Sequence, residues 1–245
     1  MGSFWSQQTS TAPVAATAAP EQPLSEQGAK TMDLRTFDPS SLAPTAVVLQ
    51  YGPRGTGKTT RTLAWLKRAG VPGANVRALT LLPEEWASRV PGVVCLPEQP
   101  SGEALNELLG ASETSKAAGG DVLRVVWDDC WLDAEDAGVR KRISDAAVRA
   151  RFIKRGFWFN LQYSRILPKR LRSNADVVVV CRERDVQHLR IIWEDHFRAA
   201  FPSFDEFSSV VDLCTRAFGA LVLDNTVVSD DLRDKLFVDR PQSAH

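Results

Sequence analysis

Gly52-Pro53-Arg54-Gly55-Thr56-Gly57-Lys58-Thr59 fits the phosphate-loop pattern G-x-x-x-x-G-K-[ST] at every specified position. Its flanks supply the context that the pattern needs. Ala46-Val47-Val48-Leu49 is an apolar run of the kind found in a buried strand. Thr60 to Arg68 reads as a helix stopped by Gly70 and Pro72. Glycines let the backbone curl so that successive N–H groups converge on a phosphate, and the helix that follows adds its positive end. Lys58 is then expected to reach the β- and γ-phosphates and the Thr59 hydroxyl to ligate Mg²⁺. Gly52, Pro53, Arg54, Gly55, Thr56 and Gly57, with Thr60 just beyond, complete the expected wrap around the triphosphate of a nucleotide. The alternative is a glycine-rich turn that matches by accident, and the strand and helix on either side argue against it.

The next stretch outward with chemical content is Val122-Leu123-Arg124-Val125-Val126-Trp127-Asp128-Asp129. An apolar strand carries its last residue to the carboxyl edge of a sheet, where ligands bind. Asp128 is placed there to hold Mg²⁺, directly or through water. Asp129 is placed to orient or deprotonate the attacking water. Alone, Asp-Asp after a strand reads equally as a strand-to-loop cap; behind a full phosphate loop, with a strand between, it reads as the other half of a nucleotidase. Gly156 to Leu161 predicts a further strand, ending in Gln162-Tyr163. The Gln162 amide is a candidate sensor of the γ-phosphate, or an ordinary turn residue. Asn75 to Thr80 and Gly92 to Leu96 predict short strands around a helix opening at Pro83. Helical spacing recurs over Ser101 to Leu109, and Val177 to Cys181 is a fully buried strand. Strands alternating with helices predict an α/β fold with a mainly parallel sheet flanked by helices.

Composition bounds the rest. With 245 residues and 44% hydrophobic content, the chain has material for one sizeable core and a tail. Formal net charge is zero, so a nucleic-acid partner requires a local basic surface. The run from Ala137 to Arg155 predicts a helix rich in Arg and Lys, either a solvated face or a phosphate-tracking one. Asp185 to Phe201 predicts an amphipathic helix and Phe204 to Leu213 a short second one. Residues 1–43, rich in Ser, Thr, Ala, Pro and Gln, are expected to be a disordered arm, with Phe4-Trp5 either incidental or a docking peptide. One phosphate-loop domain is expected over 44–230, and 231–245 as a fraying end. The four cysteines lack C-x-x-C spacing and read as buried free thiols; no apolar stretch is long enough to span a membrane, and no secretory signal opens the sequence.

The phosphate loop, the strand with Asp128-Asp129, the strand with Gln162-Tyr163, Leu167-Pro168 with Arg172, Asn174 and Asp176, and the following buried strand occur in a telling order. In that order they resemble the genome-packaging ATPases of large DNA viruses, of the poxvirus and iridovirus type, within the FtsK–HerA superfamily. The resemblance runs from about Val47 to Asp224, with Phe218 to Asp224 similar to that family's last strand. It implies a phosphate-loop NTPase of the additional-strand (ASCE) type that hydrolyses Mg-ATP to drive double-stranded DNA into a preformed capsid. It further implies a homo-oligomeric ring, a capsid or capsid-vertex partner, and work at a virus assembly site in the host cell. Lys58, Asp129 and Gln162 would act in catalysis, Thr59 and Asp128 at the metal. Arg172 resembles the arginine that reaches a nucleotide, in cis or from a neighbouring subunit; a fold-stabilising role is the alternative. Trp127 is bulkier than the aliphatic residues expected there. Two rival readings are a helicase or conjugation-type DNA pump and an ATP-binding assembly switch without pumping.

Overall fold

The computed structural model describes residues 33–96, 102–109, 122–129 and 137–241. The first 32 residues of the expected arm, the Phe4-Trp5 pair and Cys130 lie outside these described residues. Nine strands form one sheet in the order β1-β9-β8-β7-β2-β6-β5-β3-β4. The strands are β1 (Arg35–Thr36), β2 (Val47–Tyr51), β3 (Val76–Thr80), β4 (Val94–Leu96), β5 (Leu123–Asp128), β6 (Arg155–Leu161), β7 (Val177–Val180), β8 (Ala220–Asp224) and β9 (Leu236–Asp239). From β4 through β7 every neighbouring pair is parallel, and β8 alone runs antiparallel to its neighbours. The strand that ends just before Gln162, β6, lies between the phosphate-loop strand β2 and the carboxylate strand β5. That inserted strand is the expected additional-strand arrangement.

Alternation along β2 sorts the two faces. Val47, Leu49 and Tyr51 join a core with helices α3 (Gly102–Leu109) and α4 (Ala137–Val148) and with the later helical segments, through Ile143, Leu171, Leu189 and Phe207. Val48 joins the opposite core, where α1 (Lys58–Arg68) and α2 (Pro83–Arg89) pack through Leu63, Trp65, Leu66 and Trp86. Trp127 finds room in the first core, stacked on Phe159 with ring centroids 5.8 Å apart. Its bulk is absorbed because β6 offers aromatic neighbours instead of aliphatic ones.

Three expectations about extent are corrected. The sheet does not end at Asp224: β9 pairs with β8, so residues 236–239 are a buried strand and not a fraying end. Leu236 and Val238 are each less than 5% exposed, and this burial holds the segment in place. The folded domain also begins before residue 44, since β1 pairs with β9 and Phe37 is buried against Trp65. Finally, the basic helix does not run to Arg155. It breaks at Arg149, resumes over Ala150–Ile153, and ends at Lys154 in left-handed conformation; Arg155 is a buried strand residue. The Asp185–Phe201 helix is present as Val186–Ile192 continued by one π turn over Trp193–Phe197.

Candidate functional site

Parallel strands deliver their last residues to one edge, and register decides which ones meet. Gln50 lies opposite Asn160, Asn160 opposite Asp128, and Asp128 opposite Thr80. One step further, the Gly52 N–H donates to the Leu161 carbonyl at 3.1 Å and the Cys181 N–H to the Tyr51 carbonyl at 2.9 Å. Gly52 therefore leaves the sheet between Gln162 and Cys181. A Cβ on Gly52 would stand 2.8 Å from the Cys181 Cβ and 2.9 Å from the Thr56 hydroxyl oxygen, so the close approach of β7 requires glycine here. Gly57 opens α1 at φ 87°, in the left-handed region. No side chain caps α1 and its first turn carries no acid, which keeps the positive helix end for an anion.

Lys58 and Thr59, adjacent in sequence, each meet one of the two aspartates. The Lys58 Nζ donates to the carbonyls of Gly52 (2.8 Å) and Pro53 (3.1 Å) and lies 3.3 Å from Asp129 Oδ1. The Thr59 hydroxyl donates to Asp128 Oδ1 at 2.8 Å. Asp128 is buried and fully engaged: Asn160 Nδ2 donates to Oδ1 at 2.6 Å and Trp86 Nε1 to Oδ2 at 2.8 Å. Asn160 is held in turn by Gln50 Nε2 (2.7 Å) and the Thr62 hydroxyl (3.0 Å), both donating to its Oδ1. This buried polar chain fixes the carboxylate in one orientation. A hydroxyl and a carboxylate brought together beside a phosphate loop form a hard-oxygen pair that fits Mg²⁺.

Asp129 differs. Its backbone sits at φ 53°, in the left-handed region, with its N–H donating to the Asn160 carbonyl at 3.2 Å. The turn aims the side chain, 25% exposed, at Lys58 instead of along the strand. Such a conformation is uncommon outside glycine, although aspartate tolerates it better than most residues.

Gln162 is half-buried beside Gly52 at the same edge. Two residues on, the Ser164 N–H donates to His188 Nε2 at 3.0 Å, so the imidazole proton is on Nδ1, shared with Glu183 Oε2 at 2.6 Å. Burial disfavours the Glu183 carboxylate, but hydrogen bonds from His188 and the Asp185 N–H outweigh that and hold its pKa below the usual value.

Arg172 is elsewhere. It ion-pairs with Asp195, is only 11% exposed at its side chain, and belongs to the face of the sheet opposite α1, near Tyr51 and His196. Its Nη1 is engaged within its own chain, while its Nε is buried with no hydrogen-bond partner among the described residues. Burial, followed by the Arg172 charge, pushes the His196 pKa down to about 4, and the ring meets the Tyr51 hydroxyl at 3.2 Å.

Arg61 was not expected to matter, and it organises the other flank of the loop. Its Nε donates to Asp239 Oδ2 (2.7 Å), its Nη2 to the Phe218 carbonyl (2.6 Å), and its Nη1 to Gln50 Oε1 (3.2 Å). Trp65 Nε1 donates to the second Asp239 oxygen at 3.2 Å. The usable sequence signal for Gln50 and Asn160 is a polar residue interrupting an apolar strand; nothing local marks Asp239 or Trp86.

No protein-family model matches the chain. An uncharacterised protein, 088R, of Invertebrate iridescent virus 3 is 25% identical over 191 residues, covering 76% of this chain and 72% of that one. Among solved structures, the DNA-packaging ATPase B204 of Sulfolobus turreted icosahedral virus superposes with a TM-score of 0.58 at 15% identity, over 82% of this chain and 100% of its own. The genome-packaging NTPase B204 of Sulfolobus turreted icosahedral virus 2, in complex with ATP-γ-S, gives 0.56 at 14% identity over 82% and 100%. The chain has the fold of these viral packaging NTPases.

Proposed function

We propose that this chain is the ATP-hydrolysing motor of a viral genome-packaging machine. The observation that carries the reading is the pairing at one sheet edge of Lys58 with Asp129 and of Thr59 with Asp128. The N–H groups of the loop and of the α1 N-terminus bind the triphosphate. Its arrival draws Lys58 from Asp129 and the loop carbonyls to the β- and γ-phosphates, which leaves the Asp129 carboxylate free to accept a proton from the attacking water. Thr59 and Asp128 would hold Mg²⁺, which would supply positive charge against the negative charge that develops on the phosphates. Gln162, beside Gly52, senses whether the γ-phosphate is present. Arg172 has a fold-stabilising role here, because its charge is spent on Asp195.

Coupling to double-stranded DNA is supported by a concave surface of about 480 Å³ lined by Arg140, Lys141, Arg165 and Arg170 against one carboxylate, Asp145, which pairs with Arg170; positive charge remains in excess there on a chain of zero net charge. The fold of the packaging NTPases and the iridovirus relative support a viral assembly role, as a homo-oligomeric ring at a capsid vertex in the infected cell.

The test is steady-state ATP hydrolysis by the purified chain, with and without long double-stranded DNA, at low and high salt. Hydrolysis stimulated by DNA and fading with salt is expected. Turnover indifferent to DNA under all conditions overturns the motor and leaves an ATP-dependent switch.

A further inference from the structure

The phosphate loop fixes only the triphosphate end of a nucleotide. The metal-side residues Thr59, Asp128 and Asp129 occupy the β5 flank of the loop, so the γ-phosphate lies there and the nucleoside must leave toward the other flank. On that flank a groove of about 580 Å³ begins at Gly57 and runs between α1 and the end of β9, lined by Thr60, Ala64, Phe218, Arg240 and Pro241. Its volume is in the range of small-molecule sites.

Phe218 is the feature that turns this groove into a candidate site. A phenylalanine next to a buried sheet is expected to pack inward, yet this one is 65% exposed. It is also held at φ 63°, after Ala217 at φ 49°, two successive non-glycine residues in the left-handed region. Such backbone strain persists only where surrounding contacts impose it, and it gathers at ligand sites. The contacts are identifiable. Arg61, itself buried by its ion pair with Asp239, takes the Phe218 carbonyl at 2.6 Å. The next residue, Gly219, has no room for a Cβ, which would stand 2.2 Å from the Cys214 carbonyl oxygen. The ring is thereby set over the loop, where a Cβ on Gly57 would lie 3.8 Å from Phe218 Cδ1.

We infer that this groove takes the nucleoside of the bound triphosphate and that Phe218 stacks on its base. The inference rests on the phosphate-loop reading above. An exposed aromatic face beside the loop gives a base a flat apolar partner, and Arg240 at the rim offers donors to its edge. Stacking is available to every base, so Phe218 supplies affinity for a nucleoside and not choice among bases.

The test measures binding of ATP and of inorganic tripolyphosphate, by calorimetry, to the full chain and to Phe218→Ala, Phe218→Trp and Lys58→Ala. Phe218→Ala is expected to weaken ATP about tenfold, with tripolyphosphate unaffected and Phe218→Trp restoring ATP affinity. Lys58→Ala is expected to weaken both ligands. ATP affinity unchanged in Phe218→Ala, with both ligands lost in Lys58→Ala, overturns the stacking role and leaves the phosphate loop standing. Equal losses of ATP and tripolyphosphate in Phe218→Ala also overturn it, because they show a damaged loop and not a lost base contact. Both ligands retained in Lys58→Ala overturns the phosphate-loop reading and this inference with it.

Discussion

The two flanks of the phosphate loop are built by different means. On the β5 side, strands adjacent in the sheet bring Gln50, Asn160 and Asp128 into one row, and hydrogen bonds along the row orient the carboxylate. On the other side, the two ends of the described chain come together. β1 and β9 are added to the outer edge, and Asp239 grips Arg61 and Trp65 of α1 from beneath. The first flank spends its polar groups on orienting the Asp128 carboxylate, the second on clamping the helix that carries Lys58 and Thr59. Orientation of a carboxylate and anchorage of a helix are thus separated on either side of one loop.

The separation is open to breakage, starting with the largest expected effect. Lys58→Ala should lower ATP turnover on the order of 10³-fold, measured by phosphate release, since no other cation of the loop occupies that buried position. Asp239→Ala acts on the other flank. It leaves the Arg61 guanidinium buried without its carboxylate, and the urea unfolding midpoint should fall by an amount equivalent to about 3–5 kcal/mol. An Asp239→Ala protein as stable as the parent would erase the contrast.

His196 tests a third position, behind the loop. Its folded pKa of about 4 lies below the 6.5 of an unfolded histidine, so between those values the unfolded chain binds more protons. Stability should therefore be fully present above pH 6.5 and fall as pH drops toward 4, by about 3 kcal/mol. Arg172 opposes a proton on the ring, and Asp195, which would favour one, is already paired with Arg172. Glu183, with its lowered pKa, adds a loss in the same direction at acid pH. The share belonging to His196 is the slope that disappears in His196→Gln, read from urea midpoints across that range. A slope unchanged in the variant would assign the effect to other groups.

The smallest expected effect sharpens the contrast most. Asn160→Ala removes the amide that orients Asp128 while sparing every residue proposed to touch nucleotide. Turnover should fall about 10–100-fold, with apparent Mg²⁺ affinity weakened, and the unfolding midpoint should move less than in Asp239→Ala. The reverse pattern, a large stability loss with normal turnover, would make the row around Asn160 a clamp like its counterpart.

Much of this molecule could be read along the chain because its signals are local. A phosphate loop is eight consecutive residues, and its flanking strand and helix are contiguous with it. The apolar runs ending at Asp128 and at Leu161 declare their strands by composition alone. Errors of extent arose where local signal was weak or misleading. Leu236–Asp239 is a four-residue strand in a charged neighbourhood, and periodicity cannot distinguish so short a run from a frayed end. Arg149 to Arg155 continued a helical composition, and the break came from β6, where Arg155 pairs with Leu123. Arg172 carried a motif position, yet its surroundings, set by the π turn bearing Asp195, gave it a partner within the chain.

Sequence by itself therefore determined the class of fold and the strand-loop-helix that carries Lys58 and Thr59, because backbone conformation and strand burial follow from residues next to one another. Tertiary structure alone decided who holds those groups in place. The Asn160 that orients Asp128 is 32 residues away from it, and the Asp239 that pairs with Arg61 is 178 residues away. Such partners are chosen by strand order and register. A buried charge must find its counterion wherever the completed sheet brings one within reach.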